Sequence, residues 1–366
     1  MAPVASALQF KSPLFKMTQT TPTCLWNDSA AIAELTYSIE HGAVGATCNP
    51  SIAVSVLKQE LATWKPRILE LAAAMPQATE DGISWKIVEE ISANAAKLLL
   101  PIFEREKGRN GRLSIQTDPR NYRNSEAMLT QAVRFSRLAP NMIVKIAATQ
   151  AGIVAIEEAT YRGISINATV SFTLPQAIAV AEAVERGLKR REAEGLDITA
   201  MGPVCTLMVG RLDDWLKVLH DKENLSVDPG YLEWAGVAVF KKAYKIYRER
   251  GYRLRLLSAA FRNHMHWSEF IGGDVVISPP CVWQKRYNES DIEVISRIDT
   301  PVEPRIVDTL LSKFPDFERA YSENGLPPAE FDTFGSTRRT LRQFIVAVAE
   351  MNAIVRDVML PNPDTE

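Results

Sequence analysis

Apolar positions along this chain follow two alternating rhythms. Short runs rich in apolar and β-branched residues recur at 24–28, 44–49, 113–118, 142–148, 164–171, 198–205, 254–260 and 274–278. Longer segments at 83–106, 126–138, 175–194 and 230–250 separate several of them, with apolar residues spaced three and four apart. Period-two runs alternating with helical periods predict parallel strands joined by crossover helices. Eight such strands fit an α/β fold of the (β/α)8 TIM-barrel type better than an open, doubly wound sheet. From about residue 300 the pattern changes: prolines cluster at Pro301, Pro304, Pro315, Pro327 and Pro328, and a long amphipathic helix is expected over 336–358. The expected organisation is a tail over residues 1–20, then a single barrel domain over 21–366 with C-terminal helices that could contribute to a lid.

One residue breaks the apolar rhythm. Lys145 lies within Met142-Ile143-Val144-Lys145-Ile146-Ala147-Ala148. Alternation puts it on one face with Ile143 and Ala147, leaving Val144 and Ile146 to pack against helices. Burial disfavours the charged form of lysine, and a neutral amine can attack a carbonyl to form a Schiff base. The plainer alternative is a lysine whose stem lies along the sheet while its ammonium reaches water.

The other strands discriminate between these. The same alternation brings out Asp28 after Trp26, Thr47 with Asn49, Ser114 with Gln116 and Asp118, and Asn167 with Thr169. Each set falls near the C-terminal end of its strand, the rim at which barrel active sites are built. A single polar residue there would read as a helix cap or a hydrogen-bonded core group. Five strands feeding one rim point to a site. Arg211 and Arg262 each follow an expected strand and precede a helix, where an arginine can hold a phosphate or pair with a helix carboxylate. Two such cations would also help keep the Lys145 amine neutral.

Composition narrows the function further. The 366 residues are 46% hydrophobic and 23% charged, with a formal net charge of -2, which gives no general attraction to nucleic acid or an anionic membrane. No apolar stretch approaches membrane-spanning length. Cys24, Cys48, Cys205 and Cys281 have no metal-type spacing and read as free thiols in a reducing compartment, consistent with a cytoplasmic protein. His264 and His266 form an HxH at a turn, a poor zinc site, so no metal is expected.

The motifs together resemble the transaldolase family of Schiff-base enzymes, related to the fructose-6-phosphate aldolases. They are Trp26-Asn27-Asp28-Ser29, Gly45-Ala46-Thr47-Cys48-Asn49-Pro50-Ser51, Ile143-Val144-Lys145-Ile146-Ala147-Ala148-Thr149, Ile166-Asn167-Ala168-Thr169, Val209-Gly210-Arg211-Leu212-Asp213-Asp214-Trp215, Ser258-Ala259-Ala260-Phe261-Arg262-Asn263 and Val276-Ile277-Ser278-Pro279. The resemblance implies transfer of a dihydroxyacetone unit from a ketose phosphate to an aldose phosphate, in the pentose phosphate pathway and without a cofactor. It implies Lys145 as nucleophile, Asp28 as the acid/base at the C4 hydroxyl, and Gln116 and Thr169 around the catalytic water. Asn49, Asn167 and Thr206 would bind the sugar, and Arg211 and Arg262 its phosphate. Sugar phosphates are the partners implied, and an exposed apolar barrel helix could support a homodimer.

Two positions depart from the family pattern. Gln116 stands where transaldolases carry a glutamate; the aldolases carry glutamine there together with a tyrosine on the sixth strand, near Met208 here. Ala260 stands where a phosphate-binding serine is usual. The readings left open are a transaldolase, an aldolase releasing free dihydroxyacetone, and a silent sugar-phosphate-binding barrel.

Overall fold

The computed structural model describes residues 10–364. Eight parallel strands close into a barrel in chain order, the eighth pairing with the first. They are β1 (Cys24–Asn27), β2 (Ala43–Cys48), β3 (Arg112–Gln116), β4 (Met142–Ala147), β5 (Ile166–Ser171), β6 (Val204–Leu207), β7 (Arg255–Ser258) and β8 (Val276–Ile277). Among the helices around the barrel are α1 (Pro13–Thr20), α2 (Pro50–Gln59), α3 (Glu80–Arg105), α4 (Val209–Glu223), α5 (Ala235–Arg250) and α6 (Gly335–Met359). The expected (β/α)8 barrel with C-terminal helices is the observed architecture.

The strand alternation sorts residues as their chemistry requires. Trp26, Ile143, Val204, Leu257, Ala259 and Val276 form a separate buried cluster. Val144 and Ile146 join the larger core between strands and helices. Trp26 is accommodated because β2 offers Gly45 beside it: a Cβ there would approach the indole to 2.4 Å. Strand ends convert directly into helix starts. Asn49 Oδ1 accepts from Ile52 N at the start of α2, and Thr149 Oγ1 accepts from Gly152 N at the start of the helix after β4.

Two expectations need correction. The sixth strand, expected over 198–205, begins only at Val204. Gly202 and Pro203 precede it, and proline has no amide to give a ladder, so the earlier apolar residues form a turn closed by Met201 N to Ile198 O. The expected tail over residues 1–20 falls partly outside the described residues. Within them, Pro13–Thr20 is helix α1, with Ser12 accepting from Phe15 N and Leu14 and Met17 wholly buried. Its two apolar anchors, three residues apart, are too few to register as a periodicity.

The C-terminal prolines start helices more often than they interrupt the chain. Pro304 and Pro315 each occupy the first turn of a short helix, where the missing amide costs nothing. Helix α6 then packs on α2, α3 and α4. It buries Leu341, Phe344, Val348, Met351 and Val355 along one stripe.

Candidate active site

The barrel register aligns the polar residues expected at the rim. Gln116 of β3 pairs with Lys145 of β4, and Lys145 pairs with Asn167 of β5. In-register neighbours on parallel strands point to the same face, so these three form a row, with Ala147 and Thr169 one step toward the rim. Lys145 is only 2% exposed. Burial holds its pKa below the ordinary lysine value, opposed by Asp28 and Cys48 and assisted slightly by Arg211. The expectation that two arginines keep this amine neutral is thus corrected: desolvation is the larger cause, and only Arg211 adds to it. Arg262 spends its charge on Asp214, with Nε and Nη2 on the carboxylate at 3.0 and 2.7 Å.

Around the lysine, polar side chains are tied to each other. Thr47 donates to Asp28 Oδ1 at 2.5 Å. Asn167 Nδ2 donates to Ser114 Oγ at 3.0 Å, while its Oδ1 accepts from Thr206 at 2.7 Å, forming a three-strand chain. Thr169 Oγ1 lies 4.0 Å from the Met208 sulfur. Just beyond, Val170 adopts φ 52°, a left-handed conformation costly for a β-branched residue, where the β5–β6 register shifts. Gln116 is 3% exposed, and its Oε1 is buried without a hydrogen-bond partner. An orphan acceptor in register with a buried amine is an unusual cost in a core.

The two arginines converge on one cavity of about 380 Å³, lined by Arg211, Asp214, Arg262, Ser336, Arg339, Thr340, Arg342 and Gln343. Arg211 sits in the first turn of α4, whose N-terminal amides favour an anion. Its Nη1 donates to Gln343 Oε1 at 2.6 Å. Burial lowers its pKa to about 10, with Arg262 acting in the same sense. The two arginine-bearing segments are locked together below the cavity. His266 Nδ1 accepts the Arg262 amide at 3.1 Å and its Nε2 meets Asp213 Oδ2 at 2.8 Å, with both side chains fully buried. The accepting Nδ1 puts the imidazole proton on Nε2, facing the carboxylate.

Most of the expected residues are therefore assembled, and a few are diverted. Asn49 uses its carbonyl to cap α2, leaving its amide nitrogen for any other role. Asp118 turns to Arg120, whose Nε it binds at 2.9 and 3.0 Å. His266 is the partner of Asp213, and His264 Nδ1 meets Ser268 Oγ at 3.2 Å. Sequence reasoning missed Arg339, Arg342 and the Asp213–His266 pair. The only signal for the pair was two ionisable residues flanking the arginine motifs, and their contact is set by barrel closure. A larger cavity of about 830 Å³, between α5 and residues 298–302, holds none of the expected residues.

The comparisons with known proteins agree with this geometry. The sequence pattern of the Transaldolase/Fructose-6-phosphate aldolase family matches residues 25–314. A transaldolase of Kocuria rhizophila is 31% identical over 208 residues, 56% of each chain. A "Transaldolase 2" of Streptomyces avermitilis is 32% identical over 206 residues, 56% of this chain and 55% of its own. A transaldolase of Thiobacillus denitrificans is 33% identical over 218 residues, 57% of this chain and 58% of its own. The chain thus spans little more than half the length of the curated relatives it matches. With all of the barrel strands but the first residue of β1, and the whole lysine row, inside the matched span, the chain belongs to the transaldolase/fructose-6-phosphate aldolase family.

Proposed function

We propose that this protein is a transaldolase: a transferase that moves a dihydroxyacetone unit between sugar phosphates through a Schiff base on Lys145. The observation that carries the reading is the buried Lys145, its pKa lowered by that burial, in register with Gln116 and Asn167. Donors are ketose phosphates such as fructose 6-phosphate or sedoheptulose 7-phosphate, acceptors are aldose phosphates, and the setting is the pentose phosphate pathway in the cytoplasm.

The Lys145 amine adds to the donor ketone, and water leaves to give an iminium. Asp28, oriented by Thr47, takes the proton of the C4 hydroxyl. The C3–C4 bond breaks, its electron pair enters the iminium, and the aldose phosphate departs. The remaining enamine attacks an acceptor aldehyde, and water then releases the new ketose. The Asn167–Ser114–Thr206 chain and the Asn49 amide bind the three-carbon hydroxyls, Arg211 and Arg262 the phosphate, and Thr169 helps hold the water.

The test is borohydride reduction during incubation with fructose 6-phosphate. The expected result is a reduced dihydroxyacetone adduct on Lys145 by peptide mass, with product formation that depends on an aldose phosphate acceptor. No adduct despite demonstrated sugar binding would leave a silent binding barrel. Gln116 favours a second reading, because a glutamine cannot accept a proton at neutral pH and holds water differently from a carboxylate. Steady release of glyceraldehyde 3-phosphate and free dihydroxyacetone without acceptor would select that aldolase reading.

A further inference from the structure

The arginine cavity carries more charge than Arg211 and Arg262 supply, and the surplus comes from the C-terminal helix. Ser336, Arg339, Thr340, Arg342 and Gln343 of α6 form the opposite wall from α4. Gln343 already binds Arg211, and Ser336 Oγ lies 3.4 Å from the Arg211 carbonyl, so α6 is docked on the arginine-bearing turn itself. Four guanidiniums face one carboxylate, Asp214, which Arg262 occupies. Among the described residues, Arg339 and Arg342 are exposed and pair with no carboxylate. Two further polar atoms at this place are buried without partners, Arg211 Nε and Thr340 Oγ1, and Thr340 is fully buried.

The two buried, unpartnered polar atoms are costly, and they and the guanidiniums lining the same small cavity are satisfied together by a compact oxyanion with several acceptor oxygens. We propose that α6 completes the anion site, with Arg339, Thr340 and Arg342 as ligands of the phosphate dianion of the sugar substrate. Thr340 then supplies the hydroxyl that Ala260 lacks, from a different element. This deepens the proposed function and rests on its reading of Arg211 and Arg262 as phosphate ligands.

The test is calorimetric titration of inorganic phosphate into the full-length wild type, R262A, the R339A/R342A double variant and T340V, with Tm recorded for each. Steady-state kinetics with fructose 6-phosphate accompany it. The expected result is phosphate binding weakened about tenfold or more in the double variant, with T340V in the same direction and the loss appearing in KM rather than kcat. Phosphate affinity in the double variant within about twofold of wild type, while R262A loses it, overturns the role of α6 alone. Wild-type affinity retained in R262A as well overturns the parent reading. A deficit in the double variant that disappears in molar salt reduces the pair to long-range attraction and also overturns the proposal.

Discussion

Lys145 combines its proposed role as nucleophile with a cost to stability. In the unfolded chain its amine titrates near 10.5, whereas burial lowers that value in the fold. Between the two values the unfolded state binds more protons, so stability rises with pH through that window. Below the folded value the whole penalty of burying the ammonium is paid. Lys145→Met should therefore abolish borohydride trapping yet raise Tm at pH 7 by about 1–3 °C, a gain that shrinks as pH climbs toward 10.5. A lower Tm at neutral pH would show that the amine makes compensating contacts. Gln116 is the complementary case. Gln116→Glu should raise turnover about tenfold if transfer of the water's proton limits the cycle. The new carboxylate, in register with Lys145, should also favour the ammonium, moving the acid limb of the trapping profile to higher pH. Unchanged turnover would assign the water's proton to another group.

At the level of elements, α4 and the turn carrying Arg262 behave as one part. Gly210 lets them touch: a Cβ there would come within 2.0 Å of the Ala260 carbonyl and 2.7 Å of Arg262 Cγ. Ala260 itself adopts φ 64°, and the Asp213–His266 pair closes the contact from below. Gly210→Ala should force the two segments apart, raising KM for phosphorylated donors about tenfold or more and lowering stability by about 1–3 kcal/mol. Kinetics and urea denaturation of the same variant check it. An unchanged KM with reduced stability would mean that the separation of the arginines is not what holds phosphate. This contact was invisible in the sequence, because residues 210 and 260 meet only when β6 and β7 pair. By contrast, the inward placement of Gln116, Lys145 and Asn167 on their own strands was legible because strand alternation is a local property.

Across the whole molecule the same division holds. Eight alternating strands and their inward faces follow from periodicity, so the barrel and the polar residues facing into it could be read directly. The start of β6 was misread because its preceding apolar residues resemble a strand until Pro203 is weighed. The position of α6 at the arginine cavity could not be read, since amphipathicity reveals that a helix docks but not where. The net charge of -2 concealed a strongly cationic pocket for the same reason: a total says nothing of distribution.

The barrel is a hoop, and a hoop has a clasp. β8 is two residues long and joins β1 through Cys24 with Val276 and Leu25 with Ile277. Helix α1 and the residues after it bridge that seam. Trp267 Nε1 meets the Met17 sulfur at 3.2 Å, Leu14 N reaches Asn288 Oδ1 at 3.2 Å, and Thr23 Oγ1 donates to the Gly273 carbonyl at 2.9 Å. Circular closure is thus fastened by a segment that precedes the first strand, gripping what lies almost at the end of the barrel. Cutting the chain before residue 22 would leave every strand and every catalytic candidate in place, with the seam held by Thr23 and the short β1–β8 ladder alone.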